Sequence, residues 1–592
     1  MGLLQKAAET YDANASLIGI YKDGQEPLAP IGHKLTKADI EITIDITGKY
    51  VSAISIDDSD SKTIIPVTED SEARAGKFLP AHPLCEQLGY LSPEDHDKHT
   101  LYLNTLDAWA KSAASHPFLT AVYKYVEKGT VLKDLSKTGI IDVNKYDKKS
   151  LVRWRVIGLD GEEPACWKNK NLFQKYIEFY RNSISARKDA LCMISGKVTS
   201  ISVKHPKGII SINGNAKLIS SNDSVGFTYR GRFSEDWQAA TIGYEASQKA
   251  HNAIRWLAAD QGVREFSGNR IFLCWSPQGV SLPRPMRRFR PAEDEPKSRP
   301  SDYRQALRST LMSYRKDHQL KGSEVAVLAA FDAATTGRLS LTYYNELSLD
   351  QFLDRMKSWD THCCWFNGPF GIQAPNLSQI VECAFGIQRS NYLEVDDKIQ
   401  RQHLQRLLNC KISGGIFPAD ILHALTQRAS MPQAYEPSIW RKIVYTACSV
   451  LQKYRFDTKQ GGNEMAWELD RKERSFQFGR LLAVMERGEA DYYGRIQESR
   501  QTNAIKFMSE FRQRPWFVFE RVNRQLHQAY LPRIDQWQAN RYERLVGEII
   551  GFLSDFPEEE LNKPLEDTYL MGYELQRNSF FAKKENSNSE EE

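Results

Sequence analysis

The side chains in this sequence that could do chemistry are mostly cations and amides placed in short loops. Guanidinium and ammonium groups hold phosphates, amides read base edges, and aromatics such as Phe227 and Tyr229 stack or wedge. The candidate nucleic-acid ligands of the first half are Arg74, Lys77, Lys197, Lys204, Lys207, Asn213, Lys217, Asn222, Arg230 and Arg232. An alternative interpretation stays open, in which these are hairpin turns with solubilising charges and the two aromatics belong to the core.

The motifs of common enzyme sites are missing from the sequence. There is no phosphate-binding glycine loop, no dinucleotide-binding fingerprint, no zinc-protease helix and no nucleophile elbow. His96 and His99, in "SPEDHDKH", are typical of an exposed turn that caps a helix. Asp332 ends an apolar run beside a glycine-containing turn, so a metal-dependent nuclease with Asp332 or His205 in its site is an alternative function. The main interpretation predicts no catalytic centre, no metal and no cofactor.

Bulk composition gives no overall electrostatic signature. The 592 residues carry 79 basic and 75 acidic side chains, so a polyanion site has to come from local segregation of charge. The nine cysteines form no Cys-x-x-Cys pair, which favours reduced thiols in a cytoplasmic protein. The first residues lack the apolar run of a signal peptide, and no stretch is long and apolar enough to span a bilayer. We therefore expect no membrane partner.

Hydrophobic periodicity predicts an α+β fold with two differently built halves. Residues 1–375 read as a mixed α/β body, with a hairpin in "IEITIDITGKYVSAISID" and a β-meander from 191 to 220. A proline-rich segment, about 283–302, is expected to be a flexible insertion, either without a role or as a docking loop. Residues 376–580 show helical periods with almost no strand pattern, which predicts a helical bundle, and 581–592 read as a disordered tail.

Several patches of sequence, in order along the chain, resemble one family. They are "SEARAGKFLPAHPLCEQLGYL", "LCMISGKVTSISVKHPKGI", "NGNAKLISSNDSVGFTYRGRF", "YEASQKAHNAIRWL", "DAATTGRLSLTYY" and "DTYLMGYELQRNSFF". Together they run from about residue 70 to 580 and resemble the large subunit of the type I-C CRISPR Cascade surveillance complex, the Csd1-type family. The resemblance implies a subunit without a catalytic centre that sits near the 5′ handle of a guide RNA.

The resemblance also implies a set of partners and roles. Such a subunit recognises the protospacer-adjacent motif in double-stranded DNA, helps to open the strands, and presents the R-loop to a helicase–nuclease. It assembles with guide RNA and with the backbone and handle-binding subunits. Arg74, Lys77, Lys204 and Lys207 are then expected to hold phosphates, Asn213 and Asn222 to touch base edges, and a nearby aromatic to lever the first base pair apart. A purely architectural subunit that binds guide RNA is a further alternative.

For the helical half, the resemblance implies a relation to the small subunit of the complex. That subunit is expected as a separate product of internal translation, and Met465 in "GGNEMAWELDRKERSF" is the candidate start, with small-subunit character from about residue 465. The alternative is that Met465 is an ordinary helix residue after a loop. Arg471, Lys472 and Arg474, predicted on the helix that follows, are candidates for holding displaced single-stranded DNA.

Overall fold

The computed structural model describes most of the chain, in two compact units. The described residues are 2–22, 24–74, 79–142, 145–210, 216–220, 233–260, 262–264, 270–278, 282–289, 296–317, 324–335, 337–460 and 469–581. One unit comprises Met1–Leu282 and Ser323–Ser348, and the other comprises Pro283–Gly322 and Leu349–Glu592. The division does not follow the predicted boundary at residue 375, because the second unit takes up 283–322 and resumes at Leu349. The α+β fold class is confirmed.

The first unit mixes helices and strands. Its helices are α1 Leu3–Ala13, α2 Glu69–Ala73, α3 Leu88–Leu91, α4 His96–Ala110, α5 Pro117–Glu127, α6 Val131–Lys137, α7 Lys170–Ile184 and α8 Tyr244–Asp260. Its strands are β1 His33–Lys37, β2 Ile40–Asp45, β3 Tyr50–Ser55, β4 Lys62–Pro66, β5 Glu86–Gln87, β6 Leu151–Ile157, β7 Asp189–Leu191, β8 Val198–Ser200, β9 Val263–Arg264, β10 Arg270–Trp275, β11 Val325–Thr335 and β12 Arg338–Ser348.

A sheet with the order β3-β2-β6-β5 forms the first core of this unit. The predicted hairpin is confirmed: β2 and β3 pair antiparallel around a turn in which Gly48 has φ +82°. Ile40, Ile42 and Ile44 point to the buried side, as their alternation requires. β2 also runs parallel to β6, which sets Glu41 opposite Arg153. Both side chains are buried, and the guanidinium donates to the carboxylate over 2.7 Å, so the pair is internally satisfied.

A second sheet, in the order β12-β11-β10-β9, packs under α1 and α8. The apolar runs in "RIFLCWS", "EVAVLAAF" and "RLSLTYY" form β10, β11 and β12. The predicted meander from 191 to 220 is wrong in its described part. There the chain forms the short hairpin β7–β8 followed by isolated bridges, one of which joins Lys207 to Lys217. Pro206 has no N–H to donate, and this shortens any ladder at that point.

The second unit is helical. Its helices are α9 Pro300–Asp317, α10 Leu349–His362, α11 Leu377–Phe385, α12 Asp397–Ser413, α13 Ala419–Ala429, α14 Pro437–Asp457, α15 Arg474–Arg495, α16 Asn503–Lys506, α17 Met508–Gln513, α18 Pro515–Gln525, α19 Gln536–Leu553, α20 Glu558–Leu561 and α21 Thr568–Ser579. Short pairs β13 Trp365–Phe366 with β14 Ile372–Gln373, and β15 Ile387–Arg389 with β16 Tyr392–Glu394, interrupt it. The three-residue pairs of the β15–β16 hairpin are consistent with the expectation of almost no strand in residues 376–580. Among the described residues, no helix has the length and apolarity that crossing a membrane would require.

Part of the predicted flexible insertion is packed into the second unit. Met286 and Phe289 are buried, and the Phe289 N–H donates to the carboxylate of Asp360. The ammonium of Lys411 donates to the Arg287 carbonyl at 3.1 Å. α9 then begins at Pro300, within the predicted insertion. The expectation of a flexible segment at 283–302 is therefore wrong for 283–289 and 300–302. Buried apolar side chains anchor residues 283–289, and residues 300–302 form the first turn of α9.

Glycines allow α15 and α21 to cross closely. A Cβ on Gly572 would overlap the carbonyl of Phe476, and one on Gly479 would overlap the carbonyl of Tyr569. We expect Gly572→Ala to lower the free energy of unfolding by about 1–3 kcal/mol, because overpacking forces the helices apart. The matched control is Gly547→Ala on α19, where nothing lies within 4 Å of the added methyl. Denaturant unfolding should show that this control is more stable than wild type by about 0.5–1 kcal/mol.

Candidate nucleic-acid interface

Helix α2 is a short acidic helix that organises the cations of the first unit. The Thr68 hydroxyl accepts from the Ser71 N–H and the Ser71 hydroxyl accepts from the Thr68 N–H, both at 3.0 Å, so the helix begins in a capping box. Its carboxylates lie in the first turn, where the helix dipole favours negative charge. Each carboxylate binds a cation from a distant segment. The pairs are Glu69–Arg187, Asp70–Lys204 and Glu72–Arg255.

Glu69 fixes both ends of the β7–β8 hairpin to α2. Its carboxylate is buried and pairs with Arg187, which precedes β7. The same carboxylate accepts from the Ser202 hydroxyl and from the Val203 N–H at 3.1 Å, and both residues follow β8. One buried side chain therefore sets where the hairpin and the following segment, residues 201–207, lie.

Arg74, a predicted phosphate ligand, is held inside the fold. Its guanidinium donates to the Glu86 carboxylate at 2.7 and 3.2 Å and lies over the ring of Tyr90 at 5.4 Å. Its carbonyl accepts from the ammonium of Lys207 at 2.7 Å. A phosphate contact by Arg74 would compete with Glu86, and such a contact stays a prediction.

Lys204, Lys207 and Lys217, which we call the lysine cluster, meet at one place. Lys207 and Lys217 are antiparallel bridge partners, and Lys217 is also the parallel bridge partner of Arg338 at the start of β12. Directly paired residues share a face, so these bridges set cations side by side across neighbouring backbone segments. In the described part of the chain, the Lys217 ammonium has no hydrogen-bond or ion-pair partner.

The electrostatics agree with this geometry. Burial lowers the pKa of Lys217, and the neighbouring charges of Lys207 and Lys204 lower it further. Burial, and then the Arg74 guanidinium, lower the pKa of Lys207. Because like charges held together are costly, a bound anion would relieve the repulsion. The arrangement suits phosphate groups.

Of the other predicted nucleic-acid ligands of the first unit, one is exposed and the rest lie outside the residues that the structure describes. Lys197 is exposed near the turn of the β7–β8 hairpin. Seven residues that carried predictions lie outside the described residues: Lys77, Asn213, Asn222, Phe227, Tyr229, Arg230 and Arg232. The base-edge and aromatic roles therefore stay predictions.

The predicted cations of the second unit do not share one helix. α15 begins at Arg474, so Arg471 and Lys472 precede it, and Met465 lies outside the described residues. Arg474 donates to the carbonyls of Lys563 and Pro564 at 3.0 and 2.8 Å. Arg471 lies over the ring of Phe476 at 5.6 Å, and Lys472 is exposed. The expectation that all three lie on this helix is wrong, because the helix begins only at Arg474; their contact with single-stranded DNA stays a prediction.

A comparison with protein families matches nearly the whole chain. The family described as CRISPR-associated protein (Cas_Csd1) matches residues 11–581. The chain belongs to this family. The comparison with curated proteins gives no match. The match confirms the family inferred from the ordered patches, and it identifies a CRISPR-associated subunit of the Cascade type.

A cavity in this Csd1-family protein borders the β7–β8 hairpin, and its charges differ from those of the lysine cluster. It has a volume of about 600 Å³ and is lined by residues of α1, of the hairpin and of the start of α8. Its lining carries the carboxylates of Glu9, Asp12 and Glu245 and the ammonium groups of Lys197 and Lys249, and Asp12 pairs with Lys249 at 2.7 Å. A cavity of mixed, paired charge offers little attraction to a polyanion. The lysine cluster is the stronger candidate.

Within the described residues, neither residue suggested for a metal site, Asp332 or His205, belongs to a group of metal ligands. In the described ranges, no three His, Cys, Asp or Glu side chains converge as a metal site would require. The His205 ring is buried and shares a 2.8 Å hydrogen bond with the Ser247 hydroxyl. Asp332 lies opposite Arg270 in the β10–β11 register.

Buried histidines make the stability of the first unit dependent on pH. Burial lowers the pKa of His33 and His251 to about 4 and that of His205 to about 3, and it holds the pKa of His82 well below its ordinary value. Between these values and about 6.5 the unfolded chain binds protons that the folded chain does not. Stability is therefore complete above pH 6.5 and falls as pH falls toward 4, by about 1.4 kcal/mol per pH unit for each neutral histidine.

We expect denaturant unfolding to show a clear loss of stability between pH 7 and pH 5. His205→Asn should make this pH dependence shallower, because it removes one group that must stay neutral. His96→Gln, at an exposed position, is the matched control and should leave the dependence unchanged. Equal slopes for wild type and His205→Asn would contradict the assignment.

Sequence reasoning missed the residues that hold the lysine cluster in place. They are Glu69, Glu72, Glu86, Arg187, Arg255 and Arg338. The run "TEDSEA" does carry a signal, since Thr68 and Ser71 form a capping box before a chain of carboxylates. The partners of those carboxylates lie on other elements and give no local pattern.

Proposed function

We propose that this chain is the non-catalytic large subunit of a type I-C surveillance complex guided by CRISPR RNA. It recognises the protospacer-adjacent motif in double-stranded DNA, promotes strand opening and R-loop formation, and recruits a helicase–nuclease. The observation that carries the proposal is the lysine cluster, three lysines gathered at one place on a frame set by α2. Membership of the Csd1 family supports the part of the proposal that places this chain in a guide-RNA complex.

The lysine cluster suits a duplex backbone for simple electrostatic reasons. Each ammonium that contacts a phosphate releases a condensed counterion, and this gives affinity without sequence preference. In an RNA-guided complex, base pairing reads most of the sequence, so the protein has only the short motif and the backbone to read. A chain of nearly balanced charge with one local cluster fits that task. Asn213 and Asn222 remain the candidates for reading the motif.

The same cations could hold guide RNA in a purely architectural subunit, so the test has to separate RNA from DNA. The assembled complex, prepared with and without this chain, would be challenged with a library of duplexes that vary in the motif. The proposal expects motif-dependent binding only when the chain is present. An intact complex that selects motifs equally well without the chain would overturn the proposal. Failure of the complex to retain guide RNA without the chain would favour the architectural role.

We propose in addition that a small subunit starts at Met465 by internal translation. α15 begins at Arg474, so a fragment from Met465 keeps the whole of α15 and its close packing against α21. Mass spectrometry of the purified complex should show a fragment of residues 465–592. Met465→Leu should remove the fragment and leave the full-length chain, whereas a fragment of unchanged mass would exclude this start.

A further inference from the structure

A fourth lysine, Lys34 on β1, belongs to the same group of charges as the lysine cluster. Its ammonium donates to Nε2 of the buried His82 ring at 3.5 Å, and within the described residues this is its one hydrogen-bond partner. The ring is neutral, because burial holds the pKa of His82 well below its ordinary value. The charges of Lys34 and Lys207 both act on this ring. A neutral ring accepts the hydrogen bond but leaves the charge of Lys34 without a direct counter-ion in the described part of the chain.

One buried carboxylate, that of Glu72, faces these cations. It pairs with the Arg255 guanidinium, which also donates to the Lys207 carbonyl at 2.9 Å. The negative charge of Glu72 acts in addition on the ammonium groups of Lys34, Lys207 and Lys217. Four cations therefore share a single carboxylate, and that carboxylate is already bonded to one of them.

The remaining charges around Lys34 do not supply a counter-ion. The Glu86 carboxylate on β5 is held by the Arg74 guanidinium at 2.7 Å, so this pair adds one charge of each sign. The ionisable groups that face Lys34 come from α2 and its end, the loop before β5, β5 and α8, and they are Glu72, Arg74, His82, Glu86 and Arg255. Burial is the main cause that lowers the pKa of Lys34 to about 8, and the two guanidinium groups act in the same direction.

A phosphate group is the anion that this arrangement suits. A buried charge without a partner is costly, and an anion placed among several cations relieves that cost. A phosphodiester group carries a full negative charge, and its oxygens accept charge-assisted hydrogen bonds. Neither a neutral ligand nor a cation would offset the surplus of positive charge.

We propose that Lys34 is a further cation of the phosphate site formed by the lysine cluster, and that binding of a DNA phosphate there is coupled to uptake of a proton by Lys34. The inference rests on the proposed function, since the phosphate is one of the duplex that the lysine cluster holds. Without an anion, the neighbouring cations favour the neutral amine of Lys34, and a phosphate beside them favours the ammonium again. The amine then takes a proton from the solvent, so affinity must fall as pH rises.

The pH dependence of DNA binding tests this coupling in the assembled complex at constant ionic strength. Lys34→Arg keeps the positive charge at every pH used, so it removes the titration and leaves the cation. We expect Lys34→Arg to bind duplex DNA within about twofold of wild type at pH 7. Between pH 7 and pH 8.5, the affinity of the wild-type complex should fall about threefold more than that of the Lys34→Arg complex.

Calorimetry in buffers of different ionisation enthalpy measures the proton directly. At pH 8, the wild-type complex should take up about 0.4 proton more per bound duplex than the Lys34→Arg complex. Lys34→Met keeps the length of the side chain without its charge, and it should bind about fivefold more weakly at pH 7. The matched control is Lys37→Met on the same strand, because Lys37 is exposed and pairs with Asp58 at 2.8 Å. It should behave as wild type at each pH.

Three results would overturn the role of Lys34. They are equal pH dependence of wild type and Lys34→Arg, wild-type affinity of Lys34→Met at pH 7, and absence of proton uptake by the wild-type complex at pH 8. The last of these needs no variant. If Lys204→Ala, Lys217→Ala weakened DNA binding in any of these cases, the proposed function would stand without the proton coupling. If neither this double variant nor Lys34→Met changed DNA binding, both proposals would fall.

Discussion

Replacing Lys204 and Lys217 by alanine is expected to weaken binding of the complex to every duplex, whatever its motif, by about tenfold or more. Lys204 is exposed and Lys217 is unpaired in the described part of the chain, so both ammonium groups can meet phosphates. The plot of log affinity against log salt should lose roughly two units of slope, one for each lost phosphate contact. Affinity measured at several salt concentrations checks this.

The control for this pair is Lys111→Ala. Lys111 is a highly exposed lysine on the surface of the same unit, paired with Asp107 four residues earlier. Its loss should leave the salt slope unchanged, because net charge alone does not create a phosphate contact. A double variant with the wild-type slope would show that the lysine cluster does not contact DNA. A change confined to one motif would point to base readout instead.

Replacing Glu69 by alanine is expected to lower the free energy of unfolding by about 3 kcal/mol. The change leaves Arg187 without its carboxylate and removes the acceptor of the Ser202 hydroxyl and the Val203 N–H. Unpaired buried donors cost more than the net value of the bonds they made. Hydrogen exchange should show faster opening of residues 187–204, and motif-independent DNA binding should weaken because Lys204 loses its position.

Asp70→Ala, one residue further along α2, is the matched control. Its carboxylate pairs with Lys204, but both side chains are about half exposed, so the pair contributes only about 0.2–1 kcal/mol. We expect nearly unchanged stability together with tighter DNA binding, since the change frees an ammonium and removes a charge that repels phosphate. Equal destabilisation by the two substitutions would show that α2 does not act through the buried carboxylate.

Where periodicity is strong and local, the elements could be predicted. The β2–β3 hairpin followed from alternating isoleucines, and the helices of residues 376–580 followed from their apolar periods. Errors came where tertiary contacts override local pattern. Residues 283–289 look like a flexible loop by composition, yet Met286 and Phe289 are buried. The helical pattern after Met465 suggested a long helix, but the helix α15 begins at Arg474.

The candidate site could be predicted only in part, for a related reason. Charge type and loop setting singled out Lys204, Lys207 and Lys217, and the structure brings them together. The same reasoning grouped Arg74 with them as a phosphate ligand, but the fold pairs its guanidinium with Glu86. From the sequence, a basic loop residue that binds a phosphate cannot be distinguished from one that pairs with a buried carboxylate.

The sequence alone determined the α+β class, the family and the kinds of side chain available. Hydrophobic periodicity, turn residues and ordered motifs can each be recognised from residues that are close together in the sequence. Only the tertiary structure decided which charges meet. Glu69 binds Arg187 from 118 positions away, and Glu72 binds Arg255 from 183 positions away. Such pairs are set by how the helices and strands pack, and packing depends on burial of apolar faces, which has no preference for a particular charged partner.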